Sequence, residues 1–155
     1  MSELVIRPAT LEDAENIFQA HKDSVEKLCA ADYRPEQITL WLDGRSPESY
    51  KEAIVGGNLW LAQDNAVQGF VEVNGHEVSK LFVRGSGAGQ GLGKQLLELA
   101  LRQIRNAGHS KAYLEATVTA EKFYEHFGFR KVGEGTFSRG NSPVSIEIIK
   151  MERNL

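Results

Sequence analysis

The chain has 155 residues, of which 41% are hydrophobic and 25% charged, with a net charge of −3. That length supports one domain with a single sizeable core, the composition is far from a disordered one, and the mild acidity gives no general pull toward nucleic acid or an anionic membrane. A lone cysteine, Cys29, excludes an internal disulfide and a multi-cysteine zinc site.

The opening Met1-Ser2-Glu3-Leu4 lacks the basic and apolar stretches of a secretory signal, and no apolar run approaches the ~20 residues that span a bilayer. A soluble cytoplasmic protein is therefore expected. There is no internal repeat or linker, so residues 1–155 are read as one domain.

Leu4-Val5-Ile6 reads as a short strand. Thr10 then offers a helix cap, with Asp13 three residues on in the aspartate form of the capping box. Ala14, Ile17, Phe18, His21, Val25 and Leu28 follow at helical spacing and predict one buried stripe. Pro35 and Pro47 stand where first-turn prolines start helices, over Pro35–Leu42 and Pro47–Val55, the second stopped by Gly56-Gly57. Leu59–Gln63, Ala66–Val73 and Glu77–Val83 read as three strands, separated by Asp64-Asn65 and Asn74-Gly75. Asn-Gly between apolar runs is a strong hairpin signal, because both residues tolerate positive φ. The middle of the chain is thus an antiparallel meander.

Arg84–Gly93 follows, ten residues with five glycines (Gly85, Gly87, Gly89, Gly91 and Gly93). Leu92, Leu96, Leu97, Leu99, Ala100, Leu101 and Ile104 predict an amphipathic helix ending near Gly108. Ala112–Ala116 is a strand, Thr119–Phe127 a helix stopped by Gly128, and Phe129–Val132 with Ser145–Met151 complete the sheet. The order β, helices, βββ, α, β, α, ββ is that of a mixed α/β domain with a mostly antiparallel sheet.

A strand that feeds a glycine-rich turn into a helix N-terminus is a general recipe for binding phosphate, since free N–H groups and the helix dipole both favour an anion. A Walker loop ending at Gly93-Lys94 would need glycine at Ala88 and a hydroxyl at Gln95. The dinucleotide fingerprint fits no register, because its last glycine falls on Gln90, Leu92 or Lys94. The segment Leu81-Phe82-Val83, a short loop and Gly89-Gln90-Gly91-Leu92-Gly93-Lys94 instead resembles the pyrophosphate loop of the GNAT acetyltransferases, Arg/Gln-x-x-Gly-x-Gly/Ala. It departs at Ala88, where that family usually has Arg or Gln.

A second segment, from Ala116-Thr117 through Phe123-Tyr124-Glu125 to Gly128-Phe129, resembles the family's later motif Ala-x-x-Phe-Tyr-Glu-x-x-Gly-Phe. The resemblance then covers nearly the whole chain, including Ile6-Arg7-Pro8-Ala9-Thr10. It implies the GNAT (acyl-CoA N-acyltransferase) fold, acetyl-CoA as cosubstrate with no metal, and an amine of a small molecule or peptide as acceptor. A homodimer is compatible with it. It also implies Tyr124 as the general acid, and Leu81, Phe82, Val83, Gly89, Gln90, Gly91, Leu92, Gly93 and Lys94 as the cofactor-binding residues. A thiol pKa near 8.5 against about 10 for tyrosine makes full proton transfer uphill by roughly 2 kcal/mol. A hydrogen bond that strengthens as sulfur gains charge is the more economical role.

An amine acceptor of pKa about 10.4 must also lose a proton. Glu77, where some family members carry a glutamate, is the first candidate base, and period-two alternation puts it on one face with Ser79, Leu81 and Val83. Glu72 is second and His21, in the apolar stripe, third. Cys29 as a covalent nucleophile would want a nearby histidine, and His21 lies about 12 Å away along an unbroken helix, so direct transfer is preferred. His76-Glu77 fails the zinc-protease pattern, because its second histidine position is Lys80. Between the first strand and the hairpins lie Cys29, Tyr33, Trp41 and Tyr50 with Asp23, Glu26, Asp32 and Asp43, a set that would suit a cationic amine. A non-catalytic acyl-CoA-binding regulatory module is the alternative reading.

Overall fold

A computed structural model describes residues 3–87, 89–137 and 144–155. The expectation attached to Ala88 lies outside the described residues.

Strand β1 (Val5–Pro8) leads through a 3₁₀ turn (Leu11–Asp13) into α1 (Ala14–Leu28). The turn is held as the capping pattern requires: the Asp13 carboxylate accepts from the Thr10 backbone N–H at 2.7 Å and from its hydroxyl at 3.0 Å. Arg7 clamps the same carboxylate with two N–H···O contacts of 2.8 and 2.9 Å, tying β1 to the start of α1. Ile17, His21 and Val25 are buried along α1, as the stripe predicts. Helix α2 (Pro35–Leu42) begins at its proline, whereas Pro47–Val55 divides into a 3₁₀ turn (Pro47–Tyr50) and a short α3 (Lys51–Val55).

Strands β2 (Leu59–Gln63), β3 (Val67–Asn74) and β4 (Glu77–Val83) form the expected meander. Asn74 still pairs with Glu77, so the tight loop is Gly75-His76, one residue later than the Asn-Gly reading. Gly75 alone takes positive φ there, at 60°, which fits a turn with glycine at the first central position. Helix α4 (Leu92–Asn106), β5 (Lys111–Thr117), a 3₁₀ turn (Val118–Ala120), α5 (Glu121–His126), β6 (Arg130–Phe137) and β7 (Ile146–Asn154) complete the chain. The last two strands run longer than the apolar pattern predicts, because β6 is an exposed edge ribbon whose polar residues carry no core signal.

The seven strands form one sheet in the order β1-β2-β3-β4-β5-β7-β6. Every neighbouring pair is antiparallel except β4 and β5. On one face, Leu92, Leu96, Leu97, Ala100 and Ile104 of α4 pack over Val71, Val78, Leu114 and Met151. Each such side chain contributes about 1.5–3 kcal/mol on burial, so this layer carries much of the stability. On the other face, Ile17 and Ala20 of α1 cover Leu61 and Phe70, and α2 adds a cluster around Tyr33, Trp41 and Ile146.

Candidate active site in the split between two parallel strands

Strands β4 and β5 pair only at Glu77↔Tyr113 and Val78↔Leu114. Beyond these residues the described strands are no longer paired, and the backbone groups that would have closed the sheet face a cleft of 510 Å³. An interrupted parallel pair exposes N–H and C=O groups that a ligand with amide groups can satisfy as a missing strand would.

The glycine loop lies at the mouth of this cleft. Leu81, Phe82, Val83, Gly89, Gly91, Gly93 and Lys94 of the expected cofactor-binding set all line it. Gly89 and Gly91 have φ of 80° and 79°, and Gly91 is the N-cap of α4 in the left-handed region. A Cβ at Gly93 would stand 3.2 Å from the Phe123 ring, so glycine there lets α4 start against α5. These residues form a cradle of backbone donors at a helix N-terminus, suited to an anion. Two residues of the expected set face elsewhere. Leu92 is buried in the core, and the Gln90 side chain folds back on the Ser86 carbonyl at 3.3 Å. The loop is anchored from α1, since Asp23 accepts from the Gly85 N–H at 2.8 Å and pairs with Lys27 at 3.2 Å.

Tyr124 of α5 lines the cleft opposite β4 and is 6% exposed. Its ring packs edge-on against Phe123 and Phe129 at 5.2 and 5.7 Å. Burial alone pushes its pKa above the ordinary 10, with no charge or hydrogen bond from any described residue offsetting it. The phenol is therefore protonated throughout the neutral range, and its donor is left for a ligand.

The candidate bases separate. A bulge sets Val73 opposite Val78 and Glu72 opposite Lys80, leaving Ser79 as the extra residue on β4. Val78 joins the α4-side core that Leu81 and Val83 pack against, while Phe82 belongs to the opposite layer. The bulge interrupts the alternation, so Glu77 does not share a face with Leu81 and Val83 as period two predicts; it faces with Lys80 and Phe82. It sits at the apex of the split, beside Val78, which lines the cleft. Burial first and the Glu115 carboxylate second raise its pKa above the ordinary 4.5. Glu72 is engaged through one oxygen, Oε2, which accepts from Ser79 at 2.5 Å, Asn74 at 3.1 Å and Lys80 at 3.2 Å. His21 is in the core, its Nδ1 2.7 Å from the Tyr50 hydroxyl and its ring 4.0 Å from that of Phe82.

The acidic and aromatic set expected around the acceptor is not gathered into one pocket. Of its members only Cys29 lines the cleft. Trp41 and Tyr50 are core, Asp23 holds the glycine loop and Asp32 accepts from the Thr119 hydroxyl at 2.8 Å. Glu26 and Asp43 are exposed. Glu115 and Lys80 line the cleft instead. Glu115 is absent from the sequence reading, although it directly precedes Ala116, where the second motif begins; no spacing rule marks it. Burial pushes the Cys29 thiol up, which disfavours the thiolate that covalent chemistry needs.

Among the described residues no helix is long and apolar enough to cross a membrane. The family model described as "Acetyltransferase (GNAT) domain" matches residues 29–153. A relative from Escherichia coli (strain K12), "Uncharacterized N-acetyltransferase YafP", is 27% identical over 134 residues, 85% of each chain. The solved structure of "GCN5-Related N-acetyltransferase: Aminotransferase, Class-II" from Rhodopseudomonas palustris superimposes with TM-score 0.89 at 23% identity, covering 100% of this chain and 98% of that one. The PaiA N-acetyltransferase of Thermoplasma acidophilum, solved in complex with coenzyme A, gives TM-score 0.79 at 20% identity over 99% of both chains. With the family model spanning most of its length, this chain belongs to the GNAT acetyltransferase family.

Proposed function

We propose that the chain transfers an acetyl group from acetyl-CoA directly to an amine of a small molecule or peptide. The observation that carries this reading is the largely buried Tyr124 ring, whose hydroxyl bonds no described residue, in a cleft whose mouth is a glycine-lined helix N-terminus. Gly89, Gly91 and Gly93 with Lys94 would hold the pyrophosphate, and the unpaired edge of β4 at Leu81–Val83 the amide-bearing arm. The structurally similar PaiA enzyme is solved in complex with coenzyme A, which supports CoA as the ligand of this fold. When bound, acetyl-CoA supplies the acyl group as an activated thioester.

Tyr124 donates a hydrogen bond to the sulfur as it leaves. Because burial raises the phenol further above a thiol pKa near 8.5, full transfer in the transition state is costly, and stabilisation of the developing charge is its main part. Glu77, raised toward neutrality, takes the amine proton. It does so through water, since it stands at the apex rather than in the cleft wall, and Glu115 on the wall is placed to hold that water. The raised Cys29 thiol supports direct transfer without an acyl-cysteine step. A reaction that consumes acetyl-CoA needs a compartment that supplies it, which supports a cytoplasmic location.

The test is release of CoA thiol across a panel of amines, peptides and aminoglycosides, with the acetylated product identified by mass. Acetylated amine formed at a rate proportional to enzyme is expected. Tight CoA binding with no product from any acceptor would overturn the enzyme reading and favour a regulatory acyl-CoA-binding module.

A further inference from the structure

The sheet leaves the β4/β5 split open, yet the chain crosses it. Helix α1 packs on β3 and β4 and lends Ser24, Leu28 and Cys29 to the cleft wall. Four residues beyond Cys29, Tyr33 is bound to the far side. Its hydroxyl accepts from the Val118 N–H, just past β5, at 2.8 Å and donates to the Glu147 carbonyl of β7 at 2.7 Å. Asp32 adds a contact of 2.8 Å from the Thr119 hydroxyl. The Tyr33 ring is 5% exposed and stands edge-on to Trp41 at 5.4 Å, which in turn meets Phe82 of β4 at 6.3 Å. The connection between α1 and α2 is thus fastened to both sides of the split, across the face opposite α4.

We propose that residues 29–34 form a strap over the reacting centre and that Tyr33 is its positioning residue. The strap shields the thioester from bulk water until an acceptor arrives. It also fixes the turn Val118–Ala120 from which α5 carries Tyr124 into the cleft. A buried tyrosine that bonds two backbone groups on two strands is costly to leave half-satisfied, so the contacts are made or lost together. This rests on the acetyl-CoA reading of the cleft. Its measurable consequence is a side reaction. If the strap opens, water adds to the thioester carbonyl, the carbon–sulfur bond breaks, and acetate and CoA thiol leave, one proton of the water going to the sulfur and the other to solvent.

The experiment measures CoA thiol release from acetyl-CoA by the full chain without any amine, beside CoA affinity by calorimetry. Tyr33→Phe keeps the ring and removes both hydrogen bonds. Asp32→Ala removes the outer contact at an exposed residue, so it folds even if the first variant does not. Hydrolysis is expected to rise roughly fivefold for each hydrogen bond lost, with CoA affinity within about twofold of wild type. A purely structural role would lower binding and turnover together and would not raise hydrolysis. CoA bound normally with hydrolysis unchanged in both variants overturns the strap alone. A wild-type chain that fails to bind acetyl-CoA overturns the cleft reading and the strap with it.

Discussion

Val78 and Leu114 are the last residues at which β4 and β5 run side by side. Their side chains share the α4 core, which Leu81 and Val83 of β4 and Ala116 of β5 also join, so the strands part although the core beneath them is continuous. On β4 the next residue, Ser79, is the bulged one, and its hydroxyl turns to the Glu72 carboxylate of β3 at 2.5 Å. A bulge sharpens local twist and bends the strand that carries it. It therefore acts where β4 must leave β5, and the cleft is a consequence of how one strand is built.

Tyr124→Phe isolates the hydroxyl, because the ring contacts with Phe123 and Phe129 remain. Turnover should fall by ~10²-fold or more while CoA affinity is nearly intact. Stability should stay nearly the same, since the hydroxyl opens onto the cleft and bonds no described residue. Stopped-flow thiol release and calorimetric CoA titration read the two quantities. Unchanged turnover would remove Tyr124 from the mechanism.

Gly91 can be tested against a matched glycine. Gly91 at the start of α4 and Gly108 just beyond its end have φ of 79° and 96°, and a Cβ at either meets nothing within 4 Å. Alanine at each therefore costs similar backbone strain, of order 1–2 kcal/mol. Only Gly91 lines the cleft. Gly91→Ala should weaken CoA binding by about 10-fold or more, and Gly108→Ala should leave it unaltered at equal loss of thermal stability. Equal affinities for the two variants would mean that the pyrophosphate is not held by this loop.

Most of the architecture is legible in the sequence, since the stripes on α1 and α4 and the three hairpin strands are strong periodic signals set by burial. The Tyr124 helix and the glycine loop are legible as motifs. The side of the sheet that Glu77 faces is not, because one extra residue at Ser79 reverses every later side chain and no residue type announces it. The strap is illegible for another reason. Tyr33 and Val118 are 85 residues apart in sequence, and a hydroxyl bonding two backbone groups leaves no pattern along the chain.

Glu77 makes a prediction about pH. Its carboxyl is raised above 4.5 by burial and by Glu115, and a base works only when ionised. At saturating amine, kcat should fall as pH drops through that raised value, and Glu77→Gln should lower kcat by about 10²-fold and abolish this acidic limb. Glu115→Gln removes the like charge, so the limb should move to lower pH rather than disappear. A Glu77→Gln profile superimposable on wild type would exclude Glu77 as the base.

Asp13 links the first strand to stability in acid. The Arg7 guanidinium first, then the Thr10 hydrogen bonds, hold its carboxyl down at about 2 against burial that opposes them, and its side chain is 11% exposed. In the unfolded chain an aspartate titrates near 3.9. A depressed native pKa stabilises the fold fully above the unfolded value, and the contribution is lost as pH falls through the native one. The difference corresponds to about 2 kcal/mol at pH 7, declining below pH 4 to roughly half at pH 3. Asp13→Asn keeps an acceptor for Thr10 but gives up the charge that Arg7 binds. Urea unfolding at pH 7, 5 and 3 should show a stability gap between wild type and variant that is constant over the first two and narrower at the third. A gap that stays the same down to pH 3 would mean that the Arg7–Asp13 pair adds no net charge stabilisation, and that the turn holds α1 by its hydrogen bonds alone.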